Sequence, residues 1–159
     1  MPESWKSRLE RWGFNLFPAV LATGMRITYI ASDHREVRIR LPLSWRTRNY
    51  VGTIFGGSIY AATDPIYAVM LMKLLEPDFV VWEKAANIQF KKPGRSTLYA
   101  NFKPEESELE AIRLALETQP SVNRMYTVDL ADDTGLVCAT VEKTLYVRRK
   151  DRNPATVMA

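Results

Sequence analysis

The sequence is short of the residues that most often carry chemistry. It has one cysteine, Cys138, and one histidine, His34, in 159 residues. A single cysteine excludes an intramolecular disulfide and is compatible with a reducing compartment. Cys138 follows Val137 in a strand-like run with no histidine beside it, which reads as a core thiol rather than a nucleophile. One histidine is too few for a metal site of the usual kind, so neither a metal nor another cofactor is expected. His34 itself falls in a turn among charged neighbours and is expected to be solvated. No glycine-lysine phosphate loop, zinc-finger spacing or RNA-binding aromatic motif is present, so no nucleic-acid partner is expected. The first residues lack a basic segment followed by an apolar core, and a cytoplasmic protein without a secretory leader is expected. The most apolar run, Ser58 to Leu75, contains Asp64, Pro65 and Lys73. A transmembrane helix needs about 20 mostly apolar residues, so no membrane span is expected.

What is present is ordinary for a folded chain: 47% hydrophobic and 25% charged residues. That argues for one domain over residues 1–159 with a core of its own. The net charge of +4 suits an anionic ligand, a nucleotide-bearing cofactor or an acidic surface without choosing among them. Solvated surface charge would account for it equally.

Hydrophobic periodicity gives the element order. Trp5, Leu9, Trp12 and Leu16 repeat at helical spacing, predicting an amphipathic helix over 3–17 whose stripe docks on the domain or on a second subunit. A basic helix bearing tryptophans could instead lie on a membrane. Met25, Ile27 and Tyr29, then Val37, Ile39 and Leu41, alternate as two strands around Ser32-Asp33-His34. Residues 42 to 53 read as a loop. Ser58 to Leu75 reads as one helix, apolar on nearly every face, and such a helix must be wrapped. Asp64 within it is expected to be buried, and therefore hydrogen-bonded or used. A long strand follows over 79 to 92, with Val80, Trp82, Ala86, Ile88 and Phe90 assigned to one face. Leu98, Ala100 and Phe102 mark a fourth strand, and Pro104 to Thr118 a second helix with glutamates in its first turn. Tyr126 to Leu130 and Val137 to Val147 form a hairpin about Asp132 to Gly135. A polar tail over 149–159 closes the chain. The expected class is α+β, an antiparallel sheet wrapped around the apolar helix.

This order, and the stretch Asn49, five residues, Phe55-Gly56-Gly57, six residues, Asp64, resemble the hotdog-fold acyl-CoA thioesterases. The likeness is greatest to the phenylacetic-acid-degradation (PaaI-like) group, whose pattern carries His-Gly-Gly at the same spacing. Phe-Gly-Gly in its place is similar to an uncharacterised subgroup, some members of which are labelled tetrameric acyl-CoA thioesterases. Ala86 to Gly94 also resembles the family's strand followed by Phe-x-x-Pro, and the resemblance covers about residues 20 to 148.

The resemblance implies hydrolysis of acyl-CoA or related thioesters by a dimer or dimer of dimers. An acidic residue of one subunit, here Asp64, would face the glycine turn of another and act as nucleophile or general base. Asn49 would orient the carbonyl or the attacking water. The chemistry is reasonable in itself. Glycines entering a helix leave N–H groups aimed forward, so Gly57 together with Gly56 can hold an oxyanion. Asp64 lies about 10 Å further along the axis, too far to share a carbonyl within one subunit. Phe55 replaces a hydrogen-bonding histidine, which leaves a non-catalytic acyl or acyl-CoA binding protein as the alternative. Phe55, Tyr60 and Tyr67 are candidates for acyl contact. Lys84, Lys91, Lys92 and Arg95 are candidates for the phosphates of coenzyme A, with surface charge as the plainer reading.

Overall fold

The structure, a computed structural model, describes residues 1–75 and 77–150. In chain order it holds α1 (Trp5–Leu16), α2 (Pro18–Thr23), β1 (Arg26–Ile30), β2 (Val37–Leu41), α3 (Gly56–Thr63) and α4 (Ile66–Leu74). Then come β3 (Phe79–Phe90), β4 (Leu98–Phe102), α5 (Glu106–Thr118), β5 (Ser121–Ala131) and β6 (Val137–Arg149). Residues 151–159 of the expected polar tail lie outside the described residues.

The strands form one sheet in the order β1-β2-β4-β5-β6-β3, with every neighbouring pair antiparallel. Alternation places Val37, Ile39 and Leu41 of β2 and Leu98, Ala100 and Phe102 of β4 on the buried face. Ile59, Ala62, Ile66, Tyr67, Met70 and Leu71 of α3 and α4 join the same buried cluster. Tyr67 fixes the register of helix on sheet. Its ring meets Phe102 edge-on at 5.0 Å and stacks on Tyr126 at 4.8 Å, and its hydroxyl donates to the Thr127 carbonyl at 3.1 Å.

The expected single helix over 58–75 is two helices. Proline has no N–H to donate, and its ring clashes with the carbonyl four residues back, here Ala61. Pro65 therefore parts α3 from α4, with Thr63 as the last residue of the first and Asp64 as its C-cap. Asp64 is exposed, not buried, and Tyr60, Met72 and Lys73 are exposed as well, so the chain does not wrap this path on every side.

In β3 the expected facing is corrected by a bulge. One irregularity lies between Glu83 and Ala85, and a single extra residue exchanges the two faces of a strand. Val81 and Glu83 stand opposite buried Val147 and Leu145, while Ala86, Ile88 and Phe90 stand opposite buried Lys143, Val141 and Ala139. Val80 thus parts company with Ala86. Trp82 turns outward and stacks on Tyr146 with ring centres 4.3 Å apart.

Of the partners expected for the α1 stripe, the body of its own chain is not the one it meets. Trp5, Leu9, Trp12 and Leu16 are all exposed, and the opposite face of the helix meets the body. The cause is the edge of the sheet. β1 ends the sheet and presents unpaired peptide groups, which a polar helix face can satisfy. Asn15 donates Nδ2 to the Ile27 carbonyl at 2.9 Å and accepts the Ile27 N–H at 2.8 Å. Glu3 accepts the Ile30 N–H at 3.3 Å and pairs with Arg11 at 2.7 Å. Ser4 and Ser7 close a capping box, and Ser7 is buried.

His34 is not a free turn residue. It holds φ +57°, and its Nε2 lies 2.6 Å from Glu10 Oε2 on α1. Lys73 Nζ reaches the other oxygen of Glu10 at 3.1 Å, so this carboxylate ties α1 to both β1–β2 and α4.

Candidate functional site

The loop entering α3 is shaped by Asn49. Its Oδ1 accepts the N–H groups of Val51 at 3.1 Å and Thr53 at 3.0 Å, and its Nδ2 donates to Thr53 Oγ1 at 2.9 Å. Gly52 makes the turn possible at φ +85°. The asparagine thus spends most of its hydrogen-bonding capacity on the loop.

Phe55 is the N-cap of α3 and makes no side-chain cap. A Ser, Thr, Asp or Asn there would bond one of the first free amides itself. With phenylalanine, the N–H groups of Gly56 and Gly57 find no acceptor among the described residues. The positive end of the helix dipole stands behind them. An aromatic ring covers the Cα of each glycine. A Cβ on Gly57 would come within 2.4 Å of Phe55 Cε1, and one on Gly56 within 2.8 Å of Phe90 Cζ.

A cleft of about 420 Å³ opens beside this helix start, lined by Asn49, Thr53, Gly56, Phe90, Lys91 and Lys92 among others. Asp64 lines a different cleft, of about 540 Å³, with Tyr60 and Pro65 on one side and Phe14, Phe17, Val20 and Met25 on the other. The Asp64 carboxylate has no hydrogen-bond or ion-pair partner among the described residues. The structure therefore brings Asn49, Gly56, Lys91 and Lys92 together and sets Asp64 and Tyr60 apart from them. Tyr67 lies in the core and lines neither cleft. Lys84 stands over the Tyr146 ring at 5.7 Å, roughly 23 Å of extended strand away from Lys91. Arg95 is exposed in the loop that follows.

Two residues absent from the expected site adjoin Tyr60. Lys143 is fully buried, with its ammonium 2.6 Å from Glu83 Oε2 and 4.8 Å from the centre of the Tyr60 ring. The Tyr60 hydroxyl donates to Glu83 Oε1 at 2.8 Å. Burial first, then the hydrogen bond and charge of Glu83 and the charge of Asp64, push the Tyr60 hydroxyl up to about 12. It is a neutral donor at physiological pH. Lys143 was within reach of sequence reasoning, because it alternates with inward-facing Val141 and Leu145. Glu83 was not, because its facing depends on the bulge. Among the described residues no cluster of three or more His, Cys, Asp or Glu could hold a metal. Cys138 is buried, and burial followed by the charge of Asp132 raises its thiol above the ordinary value.

Residues 7–147 match the family described as a domain of unknown function, DUF4442. The chain belongs to the DUF4442 family. No curated protein matches its sequence. Solved structures do resemble this DUF4442 chain. A Pseudomonas aeruginosa protein of unknown function, described as a probable thioesterase, superposes with a TM-score of 0.81 at 16% identity, covering 94% of this chain and 99% of its own. A Haemophilus influenzae thioesterase gives 0.67 at 19% identity, covering 89% and 91%. A mutant thioesterase of Pseudomonas aeruginosa gives 0.67 at 12%, covering 89% and 94%. At these identities the likeness establishes the fold: DUF4442 here is a hotdog-type α+β domain, a six-stranded antiparallel sheet on a central helical path. Among the described residues no helix is long and apolar enough to cross a membrane.

Proposed function

We propose that the protein hydrolyses acyl thioesters, with coenzyme A as the thiol carrier, and that the working unit is a dimer or a dimer of dimers in the cytoplasm. Within the hotdog fold we place it beside the PaaI-like group, as a form with Phe-Gly-Gly at the turn. The observation that carries the reading is the division of one helical path. At its start, Gly56 borders a cleft with two lysines and the Gly56 and Gly57 amides are free of acceptors among the described residues; about two turns on, a carboxylate unpartnered among those residues lines an apolar-walled cleft.

Each half is incomplete alone, and a twofold axis that sets one against the other completes both. β3 supports this arrangement: it is the end strand of the sheet, twelve residues long, paired only with β6 among the described residues, and it carries Glu83. In the proposed reaction the Gly56 and Gly57 amides hold the thioester carbonyl oxygen as it becomes an oxyanion. Asp64 of the facing subunit takes a proton from water, and the water oxygen bonds to the carbonyl carbon. The carbon–sulfur bond then breaks, and the proton passes to the departing thiolate, giving a carboxylic acid and a free thiol. Direct attack by Asp64 would give the same products through an anhydride that water hydrolyses. Lys91 and Lys92 lie where phosphates of the carrier would emerge, and Phe14, Phe17, Val20 and Tyr60 offer a wall to the acyl chain.

Asp64→Asn and Asp64→Ala are expected to lower turnover of an acyl-CoA panel by about 10² to 10⁴, the usual worth of such a group. The melting temperature should hold, because the carboxylate is exposed and bonded to none of the described residues. Unchanged rates would remove Asp64 from the mechanism. The phenyl ring over Gly57, which can donate no hydrogen bond, favours the alternative of an acyl or acyl-CoA binding protein. In that case the ligand raises the melting temperature by mass action while no thiol is released.

A further inference from the structure

α1 wears its amphipathic pattern inside out. Trp5, Leu9, Trp12 and Leu16 form one stripe, and each is between 59% and 68% exposed. Large apolar patches left in water mark interaction surfaces. The helix cannot roll to hide this one, because its other face is bonded to β1 through Asn15 and Glu3 and to His34 and Lys73 through Glu10.

The charges around the stripe have one sign. Lys6 and Arg8, exposed, flank it on either side at 100° per residue. Both acids of the segment, Glu3 and Glu10, turn inward and are already paired with cations. Beside the stripe lies a cleft of about 380 Å³, walled by Trp12 and Leu16 and holding Arg26 and Arg40. These two arginines stand directly opposite each other on β1 and β2, a placement that repels. Nη1 of Arg26 is buried and has no hydrogen-bond partner among the described residues. A guanidinium nitrogen withdrawn from water is unfavourable until it donates to an acceptor, and a phosphate oxygen suits it best.

We propose that α1 docks the protein on an anionic phospholipid surface. The helix lies in the plane of the interface with Trp5 and Trp12 at headgroup depth, and the Arg26–Arg40 cleft receives a headgroup phosphate. At twelve residues, roughly 18 Å, α1 lies on such a surface and does not cross it. Charge decides against a second copy of the chain as the occupant. A twofold contact through the stripe would set Lys6, Arg8, Arg26 and Arg40 against their own equivalents with no acid to answer them. A bilayer surface supplies apolar contact and negative charge together. The inference is independent of the thioester reading.

The test is co-sedimentation of the full chain with vesicles of phosphatidylcholine alone or mixed with phosphatidylglycerol, over a salt series. Binding is expected to the mixed vesicles only, weakening as salt rises. Trp5→Ser with Trp12→Ser should remove most of that binding and leave the melting temperature unchanged, since both rings face solvent. Arg26→Gln and Arg40→Gln should each weaken it roughly fivefold. Equal binding to both vesicle types, no binding to either, or undiminished binding by the tryptophan double variant would overturn the proposal. So would a double variant that sediments as a smaller oligomer while the parent ignores vesicles, which would assign the stripe to a second copy.

Discussion

Lys143 carries its ammonium into the interior, where Glu83 is its partner at 2.6 Å and the Tyr60 ring lies over it. A buried ion pair adds little net stability, but removing one member leaves a charge with nothing to balance it. Glu83→Ala is therefore expected to destabilise the fold by about 3 to 5 kcal/mol in urea unfolding. The double variant Glu83→Leu with Lys143→Met should recover most of that loss, and a single variant as stable as the parent would show that the pair is solvated. The same cluster makes a spectroscopic prediction. Burial is the first cause of the raised Tyr60 value and Glu83 the second, so Glu83→Gln should bring the hydroxyl down from about 12 without reaching an ordinary tyrosine. At this scale the spacing of Asn49, the glycines and Asp64 was legible in the sequence. Which of these residues is free to meet a ligand was not. Asn49 spends its amide on Val51 and Thr53, and Asp64, read as buried, is exposed because Pro65 ends its helix.

Among the elements, α1 shows how a periodic pattern can fix a helix and leave open what its apolar stripe meets. Its apolar stripe ought to go inward by hydrophobicity alone, yet the edge of β1 needs hydrogen-bonding partners, and the polar face supplies them. The junction also responds to acid. Burial raises Glu10, but the hydrogen bonds and charges of His34 and Lys73 outweigh it and hold the carboxyl below its ordinary 4.5. A depressed acid contributes its stability above the unfolded value and loses it as pH falls through the folded one. The attachment of α1 should thus be firm at neutral pH and weaken below about 4.5. Hydrogen exchange of the α1 amides over a pH series would report it, corrected for the intrinsic rates. Glu10→Gln should already be weakened at neutral pH and flat towards acid. Parallel profiles for parent and variant would take Glu10 out of the account.

For the whole molecule, the decisive surface is the outer edge of β3, twelve residues long and paired on one side only. Long open edges invite pairing with another chain. If two copies join so that Asp64 of one meets the glycine amides of the other, the inactive variants Asp64→Ala and Gly57→Val should regain thioesterase activity when unfolded together and refolded as a mixture. Separately refolded controls should stay inactive, and a silent mixture would sink the cross-subunit site. The sequence by itself determined the order of the six strands, the α+β class and the spacing of the candidate groups, because these follow from local periodicity and turn chemistry, while the short helix α2 went unread. Tertiary structure decided how those pieces face. A bulge between Glu83 and Ala85 exchanged the faces of β3, the needs of an edge strand turned α1 outward, and a proline split the central helix. Facing depends on which neighbour offers each side chain a partner, and a neighbour exists only once the chain has closed on itself.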